Sequence, residues 1–244
     1  MSALLQAELL KLRTTRTFFA LVGAAVALSL LLLMLTTLLG GDFSDSDVRT
    51  AFSGDFTGIF ILLLGAMGMA GEWRHKTITS TVLAAPDRLK LITAKTISYA
   101  IAGVVVSFIV TASLMLVGTI ILSMRDQPTL DVATLLDIMW RNLVVAAYLG
   151  AIGVAVGAIV RSQVAAIIGL ILFPLVVELT LFGLVPDVAK YSPINGVTSG
   201  IANVDTGDSS VDFLAPGLAA LVMLGWVSVL FAVGAALLNR RDLT

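Results

Sequence analysis

A histidine with a carboxylate and a hydroxyl close by in the sequence could carry out the chemistry of a serine hydrolase. In the segment GEWRHKTITSTVLAAPDRLKLITAK (71–95), Glu72 and Ser80 flank His75, which is the chain's one histidine. A hydrolytic triad needs a pocket that holds the substrate against the nucleophile. These three residues fall in a short charged segment between two apolar runs, where we expect exposure and no pocket. The expected exposure of these three residues therefore argues against catalysis.

The remaining residue types exclude several other kinds of chemistry. The chain has no cysteine, which rules out disulfides, thiol nucleophiles and thiolate metal sites. One histidine without cysteine cannot form a zinc site of the usual ligand types, and no G-x-x-x-x-G-K-[ST] loop is present to bind nucleotide phosphates. A net charge of −1 gives no electrostatic footprint for nucleic acid. We therefore expect no catalytic residue, no metal and no cofactor on this chain.

The composition indicates a protein whose solvent is lipid. Hydrophobic residues make up 58% of the 244 residues and charged residues 13%, whereas soluble domains have about 45–50% and about 25%. Stretches free of charge recur along the chain, each about as long as the ~20 residues that cross a bilayer. We predict an all-α membrane protein with one domain over 1–244 and six transmembrane helices. The predicted spans are approximately 17–40, 52–71, 96–123, 140–160, 163–185 and 213–238.

The distribution of Lys and Arg predicts the orientation. With these spans, eleven Lys and Arg fall on one side of the membrane and four on the other, the residues at both termini included. Cytoplasmic loops carry the excess of positive charge, so both termini and the loop 72–90 should be cytoplasmic. The loop 186–212 should be external, with two short interfacial or re-entrant segments.

The residues before the first span predict a helix on the inner membrane surface. In residues 3–13, Leu5, Leu9 and Leu12 form one helical stripe, with Glu8 and Lys11 elsewhere and Arg13 at the end. An apolar stripe beside charged residues is typical of an amphipathic interfacial helix.

Two features inside the spans have a functional and a packing interpretation. Glu178 is a carboxylate well inside span five, and Pro174 should kink the helix one turn earlier. These residues could line or gate a pathway, or Glu178 could make an interhelical hydrogen bond.

Gly153 and Gly157 form a GxxxG pair that lets two helices approach closely, either within the chain or in a dimer.

The stretches AELLKLRTTRTFFALV and GEWRHKTITSTVLAAPDRLKLITAK resemble the permease subunits of ABC-2-type transporters. Members of that family have a basic N-terminal surface helix, six spans and the pattern E-[FYW]-R-x-[GK]-T-x-x-x-x-L-x-x-P-x-[SD]-R after span two. Lys76 stands where a small glycine is common. The positions that match this pattern are Glu72, Trp73, Arg74, Thr77, Leu83, Pro86 and Arg88.

The resemblance implies a division of labour between subunits. The segment 72–86 would be a coupling helix that docks in a groove of a separate ATP-binding subunit, with Lys76 among its contacts. ATP and Mg²⁺ would be bound by that partner, and two permease chains, identical or sisters, would share two ATPases. The family's usual direction is export across the bacterial cytoplasmic membrane.

Two other functional classes stay open on the residues alone. One is a channel or secondary transporter that works without ATP, although such folds often show internal repeats and none is evident here. The other is a membrane anchor or sensor subunit that holds a partner without moving a substrate.

The topology predicts that an accessibility tag at residue 207, in the external loop, reacts with an impermeant reagent from outside intact cells. Labelling that requires opened membranes would overturn the predicted orientation.

Overall fold

The computed structural model of the chain describes residues 2–40, 43–84, 87–203 and 212–240. In these residues the regular secondary structure is helical throughout. The helices, in chain order, are α1 (Ser2–Thr14), α2 (Arg16–Leu39), α3 (Asp45–Ser53), α4 (Thr57–Arg74), α5 (Ile78–Ala84), α6 (Arg88–Met124), α7 (Val132–Val160), α8 (Gln163–Leu172), a π-helical segment (Phe173–Glu178), α9 (Leu179–Leu184), α10 (Pro186–Ala189), α11 (Asn195–Ala202) and α12 (Pro216–Arg240).

The prediction of an all-α membrane protein with six spans is confirmed. Six helices or runs of adjoining helices in the described residues are long and apolar enough to cross a membrane. They are α2, α3 with α4, α6, α7, α8 through α9, and α12. The two short helices α10 and α11 lie between the last two spans, where the sequence predicts two short segments.

The centre of the bundle is formed by α4, α6 and α7, which approach one another through small residues. A Cβ atom placed on Gly153 of α7 would lie 2.2 Å from the carbonyl oxygen of Leu62 in α4. One turn earlier on α7, a Cβ on Gly150 would lie 2.5 Å from the carbonyl oxygen of Tyr99 in α6. Backbones this close exclude any side chain between them. The GxxxG pair is therefore used for packing within the chain.

Arginine side chains donate hydrogen bonds to carbonyl oxygens at the ends of three neighbouring helices. Arg125, just after α6, donates to the carbonyl oxygens of Thr37 and Gly40 at the end of α2. Arg141 of α7 donates to the Ile201 carbonyl of α11 at 2.8 Å, and Arg88 of α6 donates to a carbonyl at the end of α12. The last carbonyls of a helix have no partner within it and carry partial negative charge, so each arginine stabilises a helix end and joins two helices.

Span five is interrupted where the sequence predicts an effect of proline. Pro174 cannot donate the usual backbone hydrogen bond, and the chain continues in π turns from Phe173 to Glu178 before α9 resumes the α-helix. This segment carries both residues of the predicted pathway pair.

At the charged segment the helices extend further than the predicted spans. The helix α4 continues through Arg74 and α6 begins at Arg88, so most of the predicted cytoplasmic loop 72–90 is helical. Pro86 lies outside the described residues.

The tight contact at Gly153 gives a test of this packing. We expect Gly153→Ala to destabilise the protein by about 1–3 kcal/mol, as overpacking of a close-packed interface does. Gly169→Ala is the matched control, because a Cβ at Gly169 of α8 meets nothing within 4 Å. Thermal unfolding of the purified variants in detergent measures both changes, and equal melting temperatures would contradict the packing assignment.

Candidate functional site

The end of α4 is closed by a turn that explains the residue pattern of the segment. The backbone N–H of Thr77 donates to the carbonyl of Glu72 at 2.9 Å, and the N–H of Lys76 donates to that of Trp73 at 3.2 Å. These two bonds form a Schellman motif, in which the residue after the helix end is left-handed. Lys76 is that residue, with a φ of 56°. A left-handed backbone favours glycine, which is the residue common at this position in the pattern.

The turn leads into α5, the short helix that the sequence predicts as a docking element. Ile78 is buried and anchors the start of α5, whereas the side chain of Leu83 is 78% exposed. Arg74, Lys76 and Thr77 in the preceding turn are exposed as well. The segment thus presents one large apolar side chain next to polar and positively charged ones.

Two contacts fix the end of α4 against the start of α8. The Arg161 guanidinium lies over the Trp73 ring, 5.5 Å from its centroid. Arg74 donates to the side-chain oxygen of Gln163 at 3.3 Å. Trp73 is thereby a positioning residue for the segment, while Arg74 remains on the surface.

Beneath this surface lies a cluster of four charged side chains, three of them buried, which we call the Lys95 cluster: Glu8, Lys11, Glu72 and Lys95. The Nζ atom of Lys95 lies 2.7 Å from an oxygen of Glu8 and 2.7 Å from an oxygen of Glu72. It also donates to the carbonyl of Gly68 at 3.4 Å. Lys95 is only 1% exposed, so one ammonium group joins α1, α4 and α6 in the interior.

Lys11 completes the cluster from the side that faces solvent. Its Nζ atom lies 2.8 Å from Glu8 and 3.5 Å from Glu72, and its side chain is 54% exposed. Burial disfavours the charged form of Glu8, but the Lys95 ammonium and the bonds from Lys11 and Lys95 outweigh it and lower the pKa of the Glu8 carboxyl. The stabilisation from this pairing is present at neutral pH, and it is lost as the pH falls from the ordinary value of 4.5 through the lowered pKa.

The cluster corrects one expectation and adds a residue that the sequence analysis missed. Glu8 was expected away from the apolar stripe of α1, yet it is 4% exposed and turned inward with Leu12, which is 6% exposed. Lys95 was counted as a flanking positive charge and was not a candidate. A lysine at the edge of an apolar run can lie either at the membrane surface or in the interior of the bundle. The two carboxylates that pair with Lys95 lie 23 and 87 residues away along the chain.

Other predicted site residues have separate positions. Arg88 donates to the Leu238 carbonyl at 2.6 Å and so ties α6 to the end of α12. Arg13 is exposed near the end of α1. His75 is exposed at the end of α4, and Glu72, its partner in a hypothetical triad, is engaged with Lys95.

The predicted pathway residues lie at the opposite end of the bundle. Glu178 is fully buried, and its carboxylate accepts hydrogen bonds from the backbone N–H groups of Ile194 at 2.8 Å and Asn195 at 2.6 Å. The Asn195 side chain donates to the Pro174 carbonyl at 3.3 Å. A carboxylate at a helix N-terminus accepts hydrogen bonds from the free N–H groups there, and the helix dipole stabilises its negative charge. Glu178 therefore holds α11 against span five.

A family model described as ABC-2 family transporter protein matches residues 4–182. The matched region begins in α1, includes the Lys95 cluster and α5, and ends in α9. The chain belongs to the ABC-2 transporter family. A comparison with curated proteins found no match.

Membership confirms the resemblance that the sequence pattern indicates. As an ABC-2 family member, the chain is a multi-pass membrane protein and a membrane component of a transporter, which in general associates with an ABC ATPase. Helices α10, α11 and α12 lie beyond the matched residues. The groups that Glu178 binds thus come from a part of the ABC-2 chain that the family match does not cover.

Removing the central ammonium of the cluster should destabilise the protein strongly. In Lys95→Met, two buried carboxylates lose their shared partner, and breaking a buried ion pair in this way costs about 3–5 kcal/mol. The triple variant that adds Glu8→Gln and Glu72→Gln should recover much of this loss, because no buried charge is left unpaired. Thermal unfolding of the purified proteins measures the difference.

The control for this series is Lys90→Met, which removes an exposed lysine from the same helix and should change stability by about 0.5 kcal/mol or less. A Lys95→Met protein that melts with the Lys90→Met control would contradict the assigned role of the cluster.

Proposed function

We propose that this chain is the permease subunit of an ABC exporter in the bacterial cytoplasmic membrane. A separate ATPase subunit binds ATP and Mg²⁺ and hydrolyses the nucleotide, and the permease converts the motion of that subunit into a change of access to a pathway. The observation that carries the proposal is the family match together with the exposed side chains of Thr79 and Leu83 in α5, the helix that follows span two.

The docking surface consists of α5 and the turn before it. Leu83 supplies an apolar anchor, and Arg74, Lys76 and Thr77 supply polar contacts around it. Central apolar anchors with a polar rim are the usual composition of a protein–protein interface. Glu72, Trp73 and Arg88 act from within, because their own contacts hold the ends of α4 and α6.

The Lys95 cluster would transmit movement from this surface. A displacement of α5 acts on the two helices that flank it, α4 and α6. Lys95 joins these helices to each other through Glu72 and to α1 through Glu8. Because unpairing buried charges is costly, the three helices move together, and the N-terminal helix follows the docking helix. Both α4 and α6 extend to the far end of the bundle.

The working unit would contain two permease chains and two ATPases. A second copy of this chain or a sister permease would supply the other half of the pathway, with the lipid bilayer around both. The two short helices α10 and α11, held by Glu178, would form part of its external side.

Isolation of the complex tests the proposal. A tagged chain purified from its native membranes in mild detergent should bring with it a P-loop ATPase in near-stoichiometric amount, with ATPase activity. A chain that runs alone, under conditions that preserve other ABC complexes, would favour an ATP-independent channel or secondary transporter.

The docking role of α5 predicts the effect of one truncation. Burying a leucine side chain contributes about 1.5–3 kcal/mol, so Leu83→Ala should weaken capture of the ATPase roughly tenfold. Leu184→Ala is the matched control, because Leu184 of α9 is 76% exposed but lies at the other end of the bundle. Equal ATPase capture by the two variants would count against α5 as the docking helix.

A further inference from the structure

Asp55 is a carboxylate in the short break between α3 and α4, at the end of the bundle opposite to α5. Three hydroxyl groups donate to its Oδ2 atom: Thr111 at 2.8 Å, Ser107 at 3.2 Å and Thr57 at 3.2 Å. The first two belong to α6, so the carboxylate is held by the central helices. The backbone N–H of Thr57 also bonds to the carboxylate, so its hydrogen-bond donors are all neutral groups.

The hydrogen-bond network around Asp55 is oriented towards a negative charge. The Asn142 amide donates to the Thr111 hydroxyl oxygen at 3.2 Å and to the Phe52 carbonyl at 3.1 Å. Because the Thr111 oxygen accepts this bond, its own hydrogen is directed to the Asp55 carboxylate. A chain of aligned donors of this kind ends on the carboxylate and fixes its position.

The negative charge of Asp55 has no cationic partner among the described residues. None of the ion pairs found there includes Asp55. The Lys95 cluster at the opposite end shows the contrast, because each of its carboxylates lies within 2.7 Å of an ammonium group. A carboxylate whose neighbours are all neutral favours binding of a cation.

Asp55 lines a cavity of about 350 Å³, within the usual range of small-molecule sites. No Lys, Arg or His is among the described residues that line it. Its walls are largely apolar and come from α4 and α7 on one side and from the π-helical segment on the other. The apolar walls include Phe56, Ile59, Leu62, Val145, Leu149 and Leu175.

The predicted pathway residues take part in the cavity wall. Pro174 lines it directly, and so do Asn195 and Thr198 of α11. Glu178 lies behind them and holds the first N–H groups of α11. The polar side chains of the cavity are thus Ser53, Asp55 and Asn142 on one side and those of α11 on the other.

We propose that this cavity binds a hydrophobic amine, with its ammonium group paired to Asp55 and its apolar body against α4 and α7. A charge-assisted bond to the carboxylate supplies selectivity for the cation, and the apolar walls supply contact area for the remainder of the molecule. This inference rests on the proposed function, because it names the chemical class of the exporter's cargo.

Dansylcadaverine, a primary amine with an apolar fluorescent group, is a suitable probe for binding to the chain in lipid nanodiscs. We expect saturable fluorescence enhancement that empty nanodiscs do not give. Asp55→Asn keeps the shape and the hydroxyl contacts but removes the charge, and it should weaken binding at least tenfold. Asp45→Asn, at an exposed position of α3, is the matched control and should bind as the unaltered chain does.

The N-acetylated probe separates the ammonium contact from simple partition into an apolar space. It lacks the positive charge, so it should bind the unaltered chain at least tenfold more weakly than the amine, and Asp55→Asn should leave its affinity unchanged. Equal affinities of the amine and the acetylated probe would overturn the proposal, as would an Asp55→Asn chain that binds the amine normally.

A second variant keeps the test decisive if Asp55→Asn fails to fold. Ser199 of α11 lines the cavity, and Ser199→Phe should fill part of it and weaken binding of the amine at least tenfold. Normal binding by Ser199→Phe would show that the amine binds elsewhere and overturn the proposal. A chain that captures the ATPase but binds no amine would contradict this inference alone, whereas amine binding without any ATPase would contradict the proposed function.

Discussion

The constraint on which the rest of the structure depends is the burial of a lysine ammonium among three helices. An isolated charge in an apolar interior is strongly unfavourable, and it is tolerated only with close partners of opposite sign. Lys95 has two such partners, 2.7 Å away on α1 and on α4. None of the three helices can leave the others without exposing an unpaired charge to an apolar environment. Specific polar contacts of this kind join helices whose apolar surfaces alone would slide past one another.

The charged side chains at the two ends of the bundle differ in how they are paired. Near α5 the two carboxylates of the cluster share a buried lysine and a partly exposed one, so charge is balanced within the protein. At the other end Asp55 has neutral hydrogen-bond donors and a cavity beside it. Balanced charge stabilises a fixed arrangement, whereas unbalanced charge creates an affinity for something from outside. This contrast supports the proposals of mechanical coupling at one end and ligand recognition at the other.

The central helices connect these ends with little freedom to deform. The backbones of α4 and α6 lie directly against glycines of α7, so a side chain cannot be accommodated between them. Arginines at Arg125, Arg141 and Arg88 satisfy the carbonyl ends of neighbouring helices and hold the outer elements to the core. Close-packed interiors transmit displacement instead of absorbing it. Movement imposed at α5 would therefore reach the cavity at the far end through whole helices.

The sequence by itself determined the class of the protein, its six spans and its family. These follow from local properties, because the length of an apolar run reflects the thickness of a bilayer and because the residue pattern after span two is contiguous. Features of this kind can be predicted from one segment of the sequence at a time.

Only the tertiary structure decided which charges are buried and what they bind. Glu8 and Lys95 are 87 residues apart, and the alternation of charged and apolar residues near either one is equally consistent with a membrane surface. The role of Glu178 depends on backbone groups of α11, and that of Asp55 depends on hydroxyls of α6. The physical reason is the same in each case: the cost of burying a charge depends on groups brought by other helices, and one segment of sequence carries no information about them.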